Sequence, residues 1–132
     1  MSGDSHASDV VRYWLEKASE SLASARDELG AGRYAFAVNR CYYSAFYAAS
    51  AVLLFRGHRF RKHAGVRAAI HRHLVKPGLL STEQGRVYDR MFHDRQEGDY
   101  LEFIEFTYDE LVDMIAGAEE LLEAFEGLAG QD

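Results

Sequence analysis

The chain has 132 residues, enough for one domain with a hydrophobic core but too few for two. Apolar residues make up 48% of the sequence, which argues against a disordered protein, and charged residues interrupt every apolar run before the roughly 18 residues that a membrane span needs. The net charge of −6 argues against a general DNA-coating protein, and the single cysteine, Cys41, excludes an internal disulfide.

The N-terminal segment MSGDSHASD helps to predict where in the cell the protein is located. It is polar and acidic, and it lacks the basic and apolar regions of a secretion signal. A lone cysteine also fits a reducing interior. We therefore predict a cytoplasmic protein that does not enter a membrane.

Helical patterns begin near the N-terminus. Apolar residues recur at steps of three and four from Val11 to Leu29, which predicts an amphipathic helix that Gly30 and Gly32 end. A second helix should run from about Tyr34 to Phe55. Because its middle is apolar on most sides, it should be the central helix of a bundle. The segment RGHRFRKH that follows is too charged for a core and is predicted to be a loop.

The second half of the chain contains three more helical patterns. The segment HAGVRAAIHRHLV predicts a short third helix, which KPG ends. A capping box, Ser81 with Gln84, predicts the start of a fourth helix that reaches about Arg95. Thr107 with Glu110 repeats this signal before the last helix.

No alternation of period two indicates a strand, so the chain is predicted to be all-α. We expect an up-and-down bundle of four or five helices. It should form a single domain over residues 1–132, with an ordered core at about 9–127.

Charge is divided unevenly along the chain. Residues 56–95 contain ten Lys or Arg against three acidic residues, and five of the six histidines. After Arg95 there are twelve Asp or Glu and no Lys or Arg. This division suits either an anionic ligand on one face of the protein or two solvated helix faces of opposite sign.

The second helix carries the first candidate site. Arg40 shares a helix face with Tyr43, Ser44 and Tyr47, and Asn39 lies beside it. A guanidinium, an amide and hydroxyls on an otherwise apolar helix indicate one wall of a polar site. In the alternative interpretation, Arg40 extends its charge into solvent and the tyrosines pack with their hydroxyls at the rim.

The segment RQEGDY is the second candidate. Arg95 suits a phosphate because its guanidinium presents a fork of donors. Tyr100 can stack on a base or donate a hydrogen bond, and Asp99 can cap a helix. The alternative is a structural pair of Arg95 with Asp99 or Glu97 that fixes the turn.

The histidines do not predict a metal site. His71 and His73 are two residues apart and would point in nearly opposite directions on a helix. The sequence has no His-Glu-x-x-His pattern and no paired cysteines. Neither a metal nor a cofactor is expected, and Cys41 lies in an apolar run that does not suit a nucleophile.

Three segments, in order, resemble one family. NRCYYSAFYAASAVLL resembles the Arg-x-Tyr-Tyr-x-x-Phe-Tyr or -His helix of small HEPN proteins (higher eukaryotes and prokaryotes nucleotide-binding). KHAGVRAAIHRHLVKPGLL is similar to the Lys-x-His-x-Gly-Val block that follows, and RQEGDY to the Arg-x-x-x-Asp-Tyr element. The resemblance spans roughly Tyr13 to Phe125. It implies a bundle of four or five helices, usually a homodimer, with a polar groove near the symmetry axis.

Many members of this family are metal-independent RNases, often toxins partnered by a minimal nucleotidyltransferase. Their hallmark is an Arg that is followed a few residues later by a His. Arg95 matches this Arg, whereas Tyr100 stands where the His would be. A Tyr, with a pKa of about 10, is a poor general base at neutral pH, so His93 or His63 would have to supply the imidazole.

Three hypotheses of function follow from the resemblance and the polar residues. The leading one is a HEPN-type nucleotide- or RNA-binding and interaction module in a toxin–antitoxin-like pair with a minimal nucleotidyltransferase. One alternative is a metal-independent RNase with Arg95, Tyr100 and His93 as catalytic residues at the dimer interface. The other is a purely structural scaffold that holds a partner. The residues expected to bind the ligand are Asn39, Arg40, Tyr43, Tyr47, His63, Arg95, Asp99 and Tyr100.

Overall fold

The computed structural model describes residues 2–98 and 105–130, and within these ranges the chain folds into five α-helices without a strand. The helices are α1 (Ser2–Gly30), α2 (Tyr34–Phe55), α3 (His63–Ile70), α4 (Thr82–Gly98) and α5 (Tyr108–Leu128). The prediction of an all-α bundle is confirmed. None of the described helices is long and apolar enough to cross a membrane.

The central helix of the bundle is α2, as predicted, and it packs against α1, α3, α4 and α5. Its buried residues occur on most of its sides, since its sequence is apolar almost all round. Three large rings belong to the same core: Tyr42 of α2, Tyr88 of α4 and Phe125 of α5, all of them fully buried. Burial of each ring contributes about 1.5–3 kcal/mol to stability.

The hairpin of α1 and α2 is built from small side chains. Ala18 and Ala25 of α1 are fully buried, as are Ala45 and Ala48 of α2. Small residues at a helix contact shorten the distance between the helix axes. The turn between the helices includes Gly32 with a φ of +79°, a conformation that favours glycine, so the predicted helix end at this point is confirmed.

The predicted third helix is also confirmed, but its last turn is wider than an α-helical one. A π-helical turn, His71–Val75, continues α3, and Lys76 N–H donates to the carbonyl of His71 at 2.9 Å. Gly78, with a φ of +87°, then reverses the chain direction. The charged segment before α3 is outside any helix up to Lys62, whereas His63 is the first residue of α3.

Two helix boundaries differ from the predicted ones. Helix α4 extends past Arg95 to Gly98, so regular helix geometry fixes the direction of the Arg95 side chain. Helix α1 begins at Ser2, since extending an existing helix gains one backbone hydrogen bond per residue without a new nucleation step. Asp99 and Tyr100 lie outside the described residues.

The start of α4 allows a test of the capping prediction. Gln84 N–H donates to Ser81 Oγ at 3.0 Å, and Ser81 N–H donates to Gln84 Oε1 at 2.9 Å. We expect Ser81→Ala to lower the free energy of unfolding by about 1 kcal/mol, because Gln84 N–H loses its acceptor. Thr82→Ala, one residue later and also exposed, should change it by less than about 0.5 kcal/mol. Urea denaturation compares the two, and equal stabilities would contradict the capping role.

Candidate functional site

Arg95 lies on the face of α4 that contacts α2. Its Nη2 donates to Tyr43 Oη at 3.3 Å, and its Cζ lies 5.6 Å from the ring centroids of both Tyr42 and Tyr43. Such cation–π contacts contribute about 0.5–2 kcal/mol each. Among the described residues, Arg95 Nε is buried and has no hydrogen-bond partner. Of the residues that the structure describes, aromatic faces and one hydroxyl therefore hold Arg95.

Arg40 brings a second positive charge to Tyr43. Its Cζ lies 5.3 Å from the centroid of the Tyr43 ring. Its Nε and Nη2 donate to Asn39 Oδ1 at 3.1 and 2.6 Å, so the Asn39 amide orients the guanidinium. In the described part of the chain, no carboxylate lies within ion-pair distance of Arg40 or Arg95. The structure thus brings together two guanidiniums that belong to different predicted candidate sites.

His63 lies against the same two tyrosines. Its Nδ1 is 2.7 Å from Tyr42 Oη, and its ring stacks on Phe46 with a centroid distance of 4.3 Å. The ring centroid is 5.6 Å from that of Tyr42 and 5.7 Å from that of Tyr43. Burial and the positive charge of Arg95 lower the pKa of His63 below its usual value. The imidazole is therefore neutral at pH 7.

Tyr42 connects the core to this cluster. Burial raises the pKa of its hydroxyl to about 12, so it keeps its proton at neutral pH. The predicted ligand-binding residues did not include Tyr42 or Phe46. A signal was present in the Arg-x-Tyr-Tyr-x-x-Phe motif, which contains both. The residues that we call the Arg95 cluster are Asn39, Arg40, Tyr42, Tyr43, Phe46, His63 and Arg95.

Tyr47 and Ser44 are predicted to share the polar face of α2 with Arg40, but the two side chains differ in burial. The Tyr47 ring is half-buried, with its centroid 5.8 Å from that of Tyr43. Tyr47 therefore prolongs the aromatic row beside the Arg95 cluster. Ser44 is fully buried, and its hydroxyl has no hydrogen-bond partner among the described residues. Ser44 is thus part of the core and does not reach the polar face.

The remaining predicted residues fall elsewhere. His93 is exposed, and it is two residues before Arg95, which places the two side chains on nearly opposite sides of α4. Asp99 and Tyr100 are outside the described residues. Burial raises the pKa of the Cys41 thiol to about 12, so this thiol is not an activated nucleophile.

Other histidines have structural contacts away from this cluster. His71 Nε2 lies 2.9 Å from Asp89 Oδ1, and Arg67 Nε donates to the same oxygen at 2.8 Å. Burial opposes ionisation of Asp89, but these two hydrogen bonds outweigh it and lower the pKa of the carboxyl. The rings of His58 and His73 stack with centroids 3.9 Å apart. The described residues include no group of three or more ligands that could hold a metal ion.

The loop before His63 is strongly basic. Arg56, Arg59, Arg61 and Lys62 are all exposed, and none has an ion pair with another described residue. We refer to residues 56–62 as the basic loop. Because His63 follows it directly, the basic loop extends the positive charge of the Arg95 cluster across the surface.

Comparison with known proteins places this chain in a family. The chain matches the model of the HEPN domain over residues 11–128. It is 44% identical over 119 residues to a "UPF0332 protein" of Thermotoga maritima, covering 90% of each chain. It is 33% identical over 96 residues to "Putative toxin MJ0142" of Methanocaldococcus jannaschii, covering 73% of this chain and 65% of that protein.

The fold resembles a solved structure described as TT1696 from Thermus thermophilus. The TM-score is 0.76, and the likeness covers 89% of this chain and 97% of that one. At 20% sequence identity, this likeness concerns the fold alone.

Proposed function

The chain belongs to the HEPN domain family, and from this premise we propose that it is a toxin-like module that binds a phosphate group of RNA or of a nucleotide at the Arg95 cluster. The observation that carries the proposal is the placement of the Arg40 and Arg95 guanidiniums over one tyrosine ring, without a carboxylate within ion-pair distance among the described residues. Two such cations repel each other, and a bound anion would relieve that repulsion.

Residues in and beside the Arg95 cluster have distinct roles in this proposal. Arg95 supplies a fork of donors to phosphate oxygens, and Arg40, oriented by Asn39, adds a second cation. The half-buried Tyr47 ring beside the cluster offers a face against which a base can stack. Asp99 and Tyr100 are proposed to complete the groove at the end of α4.

The partner belongs to the same proposal. Relatives named as toxins support a role as one half of a toxin–antitoxin-like pair. We propose a homodimer whose companion is a minimal nucleotidyltransferase, acting in the cytoplasm. Native mass spectrometry of the protein purified from its host would measure the stoichiometry and detect a companion chain. A monomer without any companion would contradict this part of the proposal.

Binding of fluorescently labelled single-stranded RNA tests the phosphate site directly. We expect affinity to fall as salt rises, with a slope of about −0.7 per phosphate contacted in a plot of log affinity against log salt. The double variant Arg61→Ala/Lys62→Ala in the basic loop should lessen the magnitude of that slope by about 1.4, because two cations no longer meet phosphates.

The matched control for the basic loop is Arg12→Ala/Arg86→Ala. Both of these arginines are exposed and paired with a neighbouring acid, Asp9 and Glu83 respectively. The control should keep the wild-type slope. If wild-type protein binds no RNA at the lowest salt concentration and still copurifies with a partner, the phosphate site is refuted and a purely structural scaffold is favoured.

A second candidate function is a metal-independent RNase. The observation that favours it is the neutral imidazole of His63, which lies against the same two tyrosine rings as Arg95. Incubation of labelled RNA with the pure protein in EDTA would reveal cleavage. Loss of that cleavage in Arg95→Ala and in either His63→Ala or His93→Ala would support the RNase, and its absence in wild type would reject it.

A further inference from the structure

We infer that the Tyr42 hydroxyl donates its hydrogen bond to His63 Nδ1 and so holds the neutral imidazole with its proton on Nε2. His63 is then a hydrogen-bond donor to the ligand, and Tyr42 is the residue that positions it. The ligand part of this inference rests on the proposed phosphate site, whereas the position of the proton is a property of the protein alone.

The contact itself is short and enclosed. Tyr42 Oη and His63 Nδ1 are 2.7 Å apart, and Tyr42 is fully buried. Stacking on Phe46 at a centroid distance of 4.3 Å fixes the plane of the imidazole. Since one edge of the ring faces the buried hydroxyl, Nε2 lies on the opposite edge. Among the described residues, no group makes a hydrogen bond with it.

The direction of the hydrogen bond follows from counting protons. A neutral imidazole has one N–H and one bare nitrogen, and a phenol has one O–H. If Tyr42 donates to Nδ1, its proton is used and Nε2 carries the imidazole proton. If Nδ1–H donates instead, the Tyr42 proton needs another acceptor inside the core.

The nearest candidate for that acceptor is Tyr88, and it does not solve the problem. Its ring centroid is 6.0 Å from that of Tyr42. Its buried hydroxyl acts on Tyr42 as a hydrogen-bond donor, which partly offsets the rise that burial causes in the pKa of Tyr42. A Tyr42 proton directed at Tyr88 would leave the proton of Tyr88 unsatisfied in the core. An unsatisfied buried donor disfavours an arrangement by about tenfold or more. When Tyr42 accepts from Tyr88 and donates to Nδ1, both hydroxyl protons have acceptors, whereas the reverse direction leaves one without an acceptor. Donation from Tyr42 therefore prevails.

The consequence concerns how the cluster recognises its ligand. His63 Nε2–H adds a neutral donor to the charged donors of Arg40 and Arg95, and all three suit the oxygens of a phosphate. In this state Nε2 has no lone pair with which to accept a proton. His63 therefore serves binding, and base catalysis through Nε2 would require the buried Tyr42 hydroxyl to reverse first.

The tautomer is directly measurable in the ligand-free protein. Imidazole ¹⁵N chemical shifts at a pH above the titration of His63 distinguish Nε2–H from Nδ1–H. We expect Nε2–H to predominate by about tenfold in wild type. In Tyr42→Phe, the ratio should fall to that of a histidine in an unstructured peptide, because Nδ1 loses its donor.

Tyr88→Phe is the matched control, since it removes a buried hydroxyl from the same core and leaves the Tyr42 proton directed at Nδ1. Its tautomer ratio should equal that of wild type. A majority of Nδ1–H in wild type, or an unchanged ratio in Tyr42→Phe, would overturn the inference whether or not the protein binds RNA.

Substitution of His63 tests the donor role in RNA binding. The amide N–H of glutamine mimics Nε2–H but accepts no proton. We expect His63→Gln to retain affinity within about threefold and His63→Ala to lose about tenfold. Equal loss in both variants would overturn the donor role, whereas absence of RNA binding in wild type would refute the phosphate site and leave the tautomer result standing.

Discussion

Replacing Arg95 with alanine should weaken RNA binding by about 10- to 100-fold, the largest loss that we expect from a single substitution in the cluster. The guanidinium supplies charge-assisted hydrogen bonds that contribute about 1.5–3 kcal/mol. It is already oriented by Tyr42 and Tyr43, so little side-chain entropy is lost when the ligand binds. Fluorescence anisotropy with a labelled single-stranded RNA measures the change.

Two variants separate the role of Arg95 from that of charge in general. Arg95→Lys keeps the charge but loses the planar fork, and it should recover less than half of the lost binding free energy. Arg86→Ala removes an exposed arginine from the same helix, where its partner is Glu83, and should leave affinity within about twofold. Wild-type affinity in Arg95→Ala would contradict the proposed site.

Replacing Tyr42 with alanine should lower the free energy of unfolding by about 3–5 kcal/mol, which is a large part of the stability of a domain of this size. The Tyr42 ring is fully buried and shares aromatic contacts with residues of α2, α3 and α4. Removal of the ring would leave a cavity in the core and remove the support of His63. Thermal and urea denaturation would measure the loss.

Two controls distinguish the effect of the buried Tyr42 ring on stability from that of its hydroxyl and from that of an exposed tyrosine. Tyr42→Phe keeps the ring and loses one hydrogen bond, so it should cost only about 1 kcal/mol. Tyr13→Ala removes a tyrosine that is 54% exposed and should cost less than about 0.5 kcal/mol. Comparable losses in Tyr42→Ala and Tyr13→Ala would show that Tyr42 is not a central packing residue.

Local signals in the sequence were sufficient for most of the fold. Both capping boxes, Ser81 with Gln84 and Thr107 with Glu110, form as predicted, because a cap depends only on residues within one helical turn. The span Tyr34–Phe55 of α2 also matches the prediction. A helix that is apolar on most sides must lie at the centre of a bundle, and this condition fixes the position of α2.

Features that depend on contacts between helices were harder to predict. Helix periodicity puts Arg40 and Tyr43 on one face, but periodicity alone does not reveal that Tyr42 turns inward and contacts His63. The same periodicity predicts Ser44 on the polar face, yet Ser44 is fully buried. Helix period gives relative directions around one axis, whereas burial depends on which neighbouring helix approaches each side.

Cys41 has a practical consequence that concerns measurement. It is the single cysteine of the chain and is fully buried, and burial raises the pKa of its thiol to about 12. A thiol-specific reagent can modify it only when the bundle opens, since both access and thiolate formation are blocked in the closed state. The rate of alkylation of Cys41 therefore reports how often the bundle opens. Mass spectrometry can follow it in a crude extract, without purification or an added label.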